Sequence, residues 1–130
     1  MDRKYQRVIE RNQDRTIADF LRGKSPKTVE LFNFFVEQFH AIGEVTFIPA
    51  KTMIGVATSR KRIAYVTQLG KNFVHVVFHF DQPYHDNLCF QKIAQVPGEQ
   101  QFNHHFRMFE KEDVNEEVKR FMKLAYRHAS

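Results

Sequence analysis

Apolar positions between residues 2 and 22 come in broken pairs. Tyr5, Val8 and Ile9 are followed by Ile17, Phe20 and Leu21, with charged residues between. That spacing predicts a solvated helix packed on one side, ended by Gly23. Ser25-Pro26 then supplies an N-cap and a first-turn proline for a second helix. Val29, Phe32, Phe35, Val36 and Phe39 recur along it at helical spacing. Leu31 and Phe34 widen the stripe, which predicts cover on more than one side. Ile42-Gly43 is the expected stop.

From Glu44 the period shortens to that of strands. Val45–Ile48 is a short strand interrupted by Pro49, and Thr52–Thr58 is a second. Ser59-Arg60-Lys61 is a basic turn into the run from Arg62 to Phe80, which reads as one hairpin. A type II′ loop at Gly70-Lys71 places the glycine where positive φ is required. It pairs Thr67 with Val74, Tyr65 with Val76 and Ile63 with Phe78 on the core face. Arg62, His75 and His79 then fall on the opposite face. Residues 81–87 are a loop by composition, Leu88–Val96 a strand closed by Pro97-Gly98, and Gln101–Phe109 the last strand. Asp113 with Glu116 resembles a capping box opening a final helix, whose buried stripe is Val114, Val118, Phe121, Met122 and Ala125. Acids at its start and bases at its end match the helix dipole. The expected fold is α+β: two N-terminal helices, an antiparallel sheet of five or six strands, and a C-terminal helix packed on the sheet. Residues 1–130 are expected to form a single domain, with 1–24 as an N-terminal helical segment and 25–128 as the α+β core.

The chain of 130 residues is 42% hydrophobic, with 14 Phe and no Trp, so the core is expected to be Phe-dominated. Residues 1–62 hold 12 Lys/Arg against 7 Asp/Glu, and residues 63–130 hold 8 of each. The whole +5 excess therefore lies in the first half, a modest signal for nucleic acid. The one cysteine, Cys89, cannot form an intrachain disulfide and suits a reduced cytoplasmic chain. No signal peptide and no membrane span are expected.

Candidate chemistry is sparse. The five glycines are scattered, so no phosphate loop exists, and no serine nucleophile elbow is present. His75 and His79 share a strand face but stand roughly 13 Å apart, too far for one metal ion. His104 and His105 point to opposite faces. Neither a metal nor a cofactor is expected. His105 and Arg107 share one face of the last strand. If that strand lies beside Thr52–Thr58, Lys51, Thr52, His105 and Arg107 converge on one anion, with Arg as a planar fork and Lys as a point charge. The competing expectation pairs His105 and Arg107 with Glu110 or Glu112 in solvent.

The stretches FLRGKSPKTVELFNFFVEQFHAIG, PAKTMIGV, RIAYV and FNHHFRMFEKEDVNEEVKRFMKLAY, in this order, resemble domain of unknown function 5655 over about residues 18–126. Lys51-Thr52 and His104-His105-Phe106-Arg107 are similar to its most recognisable short motifs. Where this chain has Phe121-Met122, members tend to carry Trp, a departure that touches packing. Members are sometimes labelled predicted transport proteins. The resemblance implies a compact α+β domain and carries over no catalytic residue. The expected function is a small cytoplasmic binding or interaction domain, for a small anionic ligand or a protein partner. The alternatives are a nucleic-acid-associated domain and an enzyme of unknown reaction.

Overall fold

The computed structural model describes residues 15–128; most of the helix expected over residues 2–22 lies outside them. Helix α1 spans Ile17–Leu21 and opens with a reciprocal cap: Thr16 Oγ1 accepts from the Asp19 amide, and the Asp19 carboxylate accepts from the Thr16 amide. Gly23 follows it with φ 79°, the left-handed conformation expected just beyond a helix end. Helix α2, Pro26–Ile42, begins at the Ser25 cap and ends at Gly43, as its sequence predicts. It buries Thr28, Leu31, Phe32, Phe35 and Phe39.

Six strands follow: β1 Thr46–Pro49, β2 Ile54–Ala57, β3 Arg62–Gly70, β4 Phe73–Phe80, β5 Lys92–Gln95 and β6 Phe102–Met108. They form one antiparallel sheet in the order β1-β2-β3-β4-β6-β5. The order departs from a simple meander at the loop after β4. That segment buries Phe90 against Phe78, Phe80 and Phe121, with ring centroids 4.8–6.4 Å apart. The strand expected over Leu88–Val96 is accordingly only Lys92–Gln95, because its first residues belong to this plug.

The hairpin register differs from the expected one. The two loop residues are Lys71 and Asn72, and Asn72 takes the positive φ, 66°. Helix α2 dictates this choice. Thr28 Oγ1 donates to the Gly70 carbonyl (2.6 Å) and accepts from the Asn72 amide (2.9 Å), while Ser25 Oγ donates to Asn72 Oδ1 (2.7 Å). A bulge at Thr67 then shifts the pairing from Gln68–His75 to Val66–Val76. Val66 and Ala64 therefore take the core positions. Tyr65, expected in the core, pairs with Val77 on the other face and lies 5.2 Å from the His79 ring. Ile63, Val76 and Phe78 are buried as expected, and His75 and His79 face away from Phe78.

Helix α3, Glu116–His128, is capped by Asn115, whose Oδ1 accepts from the Val118 amide (2.9 Å). Asp113, expected to cap it, instead closes a 3-10 turn over Lys111–Asp113, its Oδ2 accepting from the amides of Phe109 and Glu110. Phe39 of α2 meets Phe78, and Phe121 of α3 meets Phe80. Both helices thus pack on the sheet face that carries Val74, Val76, Phe78 and Phe80. None of the described helices lies on the opposite face.

Candidate anion-binding site

The helix-free face is built by strand pairing alone. Antiparallel register sets His75 opposite Arg107, Val77 opposite His105, and His105 opposite Lys92. None of the six strands contains an Asp or Glu. Among the described residues, acids are confined to the helices, turns and loops, so the sheet presents cations without intrinsic neutralisation.

Three side chains on this face form a directed row. Arg107 Nε donates to His75 Nδ1 at 3.1 Å, and His75 Nε2 meets His105 Nδ1 at 2.9 Å. Arginine can only donate. His75 Nδ1 must therefore accept, and the neutral ring carries its proton on Nε2. That proton is donated to His105 Nδ1, which leaves His105 protonated on Nε2 as the terminal donor of the row. Burial, the Arg107 charge and His105 push the His75 pKa down to about 4. Burial and then Lys92 lower that of His105. Both rings are neutral near pH 7, so the row relays hydrogen-bond polarity from one permanent cation.

Arg107 is also fixed from the side. Its guanidinium carbon lies 4.2 Å from the Phe73 ring centroid, a cation–π geometry, and its Nη2 lies 3.5 Å from Gln68 Oε1. The Phe73 ring lies across Gly70, where an added Cβ would collide with its Cζ and Cε2. Gly70→Ala is therefore expected to displace the ring and with it the Arg107 support. Overpacking of this kind costs about 1–3 kcal/mol, read as a lower midpoint in denaturant melts.

Gln68 also lines a cleft of about 430 Å³ with Arg15, Lys24, Lys51 and Thr52; Phe20 of α1 and the core residues Val66 and Leu69 form its apolar side, so it lies at the rim of the sheet beside α1. This cleft fills the place where β2 stops at Ile54 while β3 runs on to Gly70. Arg15 is held in it by stacking 3.9 Å from the Phe20 centroid and by donating to the Lys51 carbonyl (2.6 Å). Among the described residues, no carboxylate forms an ion pair with Arg15, Lys24, Lys51, Lys92 or Arg107.

The four residues expected to converge are thus divided. His105 and Arg107 come together through His75. Lys51 and Thr52 line the cleft, with β3 and β4 standing between β2 and β6. The required adjacency of β2 and the last strand does not occur; Gln68 is the point where the two groups meet. Glu110, expected as a competing partner of Arg107, is held by Lys27 at 2.7 Å. His75, Arg15, Lys24 and Gln68 join the site unforeseen, because their placement depends on strand order and on the bulge. His104 is absent from it: the ring is fully buried on the core face, with Nε2 accepting from the Tyr84 amide (3.1 Å) and Nδ1 bonded to the Phe102 carbonyl (2.9 Å). Burial, followed by the Glu117 charge, raises the Cys89 thiol to about 12, so it is protonated and unreactive near neutrality.

A family model, domain of unknown function (DUF5655), matches residues 17–129. The match covers most of the chain, which therefore belongs to this family, in agreement with the resemblance read from its motifs. No curated protein and no solved structure matches it.

Proposed function

We propose that this DUF5655 member is a cytoplasmic binding module that receives an anionic ligand on its helix-free sheet face, where the histidine row meets the Lys51 cleft at Gln68. The observation that carries the reading is the segregation of charge: the strands hold Arg62, Lys92 and Arg107 and no acid, and Arg15, Lys24 and Lys51 line the adjoining cleft. Unpaired cations are costly to bring together, and an anion relieves that repulsion. Arg107 offers a planar fork preset by Phe73 and His75, Lys51 a mobile point charge, and Thr52 and His105 neutral donors. A preset donor array loses little conformational entropy when a ligand arrives.

The test is the melting temperature in phosphate, sulfate and small carboxylates at constant ionic strength. A ligand that binds the folded state stabilises it by mass action. The wild type is expected to gain several degrees at millimolar anion, and Arg107→Ala and Lys51→Ala to keep the fold but lose most of that gain. An unchanged response in both variants rejects the site.

A further inference from the structure

We infer that the physiological anion is the phosphodiester backbone of a single-stranded nucleic acid, lying along β3 and β4 with its bases against the rings of this face. The inference rests on the anion-binding reading above and adds the ligand class. Its first support is extent. The Lys51 cleft lies at the Leu69 end of β3. A second cleft of about 400 Å³ lies at the Arg62 end, on the rim the sheet shares with α3: Lys61, Arg62 and His79 line it with Phe80 of the core face, His128 of α3 and one acid, Asp81. Arg62 and Leu69 are seven strand steps apart, roughly 23 Å at strand rise. A single phosphate or carboxylate occupies one such place; an extended polyanion engages both and passes Arg107 and His105 between them.

Its second support is the rings. Phe109 is 50% exposed, although it is a large apolar side chain beside a cationic patch, and its centroid lies 5.9 Å from Phe73. Phe73 carries the Arg107 guanidinium. Tyr65 stands at the other end of the face against His79. One exposed ring, Phe109, and two half-buried ones, Phe73 and Tyr65, interleaved with cations offer what unpaired bases and their phosphates require, since every base has a face to stack and every linkage a charge. Duplex DNA hides its base faces, and an inorganic polyanion has none.

The experiment is fluorescence anisotropy with a labelled 15-nucleotide oligothymidylate, a duplex of equal length and an inorganic polyphosphate as competitor. It is run at two salt concentrations beside the phosphate melting series. The oligothymidylate is expected to bind more tightly than the duplex, and affinity to fall with salt. Arg107→Ala is expected to reduce the slope of log affinity on log salt by about 0.7. Phe109→Ala, at an exposed position, is expected to weaken binding about fivefold or more with the slope unchanged. Phosphate stabilisation without oligonucleotide binding overturns this inference and leaves the anion site standing. Equal affinity for single strand and duplex, with no effect of Phe109→Ala, also overturns it, in favour of a general polyanion surface. Absence of both responses overturns both readings.

Discussion

Phe78→Ala is expected to lower the unfolding free energy by about 3–5 kcal/mol, the range for truncating a buried Phe. The ring is fully buried on the central strand β4. It lies 6.5 Å from Phe39 of α2, 6.1 Å from Phe80 and 6.3 Å from Phe90 of the plug after β4. Its removal leaves a void bordered by a helix, a strand and a loop at once, and rigid aromatic neighbours collapse poorly into such a space. With native stability near 5–15 kcal/mol, the variant is expected to unfold at markedly lower denaturant, with its m-value unchanged. A loss below about 1 kcal/mol shows that the neighbouring rings refill the space. Phe109→Ala, half exposed at the sheet edge, is the matched control and is expected to change stability by under about 1 kcal/mol.

Acidification is expected to destabilise the protein well above the carboxylate range. His75, His79, His104 and His105 all have pKa values lowered first by burial. A base whose folded pKa lies below its unfolded value favours the folded state fully above the unfolded pKa, about 6.5. That contribution is lost as pH falls toward the folded value, about 4 for His75. Stability should therefore fall between pH 6.5 and 5, each proton taken up on unfolding being worth about 1.4 kcal/mol per pH unit. His104 has a specific part in this loss. Its Nε2 accepts from the Tyr84 amide, and a proton placed there turns two donors against each other and releases the 81–91 plug. His104→Gln keeps an acceptor for that amide and cannot titrate. It is expected to be less stable at pH 7.5, having lost the Phe102 bond, but to lose less between pH 6.5 and 5. Parallel pH profiles for wild type and variant reject the role given to His104.

Local signals made most of the fold legible. Ser25-Pro26, the phenylalanine stripe and Gly43 bound α2 because capping and helical periodicity act within a few residues. Strand alternation likewise separated His104 from His105 and Phe78 from His75. The failures all needed distant contacts. Tyr65 lies on the face opposite to the expected one because the Thr67 bulge changes parity in mid-strand, and no residue type marks it. The turn was shifted because Gly70 is the better local candidate for positive φ, while Thr28 and Ser25 hold Asn72 from more than 40 residues away. The site was half legible. His105 and Arg107 share a face by spacing alone, whereas their separation from Lys51 follows from the strand order, which stands β3 and β4 between β2 and β6.

The grip of α2 on the hairpin turn also bears on how the chain reaches this state. A hairpin closes in microseconds, before a helix 42–47 residues earlier in sequence need have docked. At that stage Gly70-Lys71 and Lys71-Asn72 are rival turns, and the local preference favours the wrong one. Only when Thr28 and Ser25 arrive does the native turn gain its hydroxyl partners, so the helix acts as a proofreader of strand alignment. Selection of the correct hairpin is therefore expected to wait for a non-local encounter, the kind of step that slows folding, which refolding kinetics of a Thr28→Val variant would test. The side chains that enforce it, two hydroxyls at a helix start, contribute little to the apolar core they align.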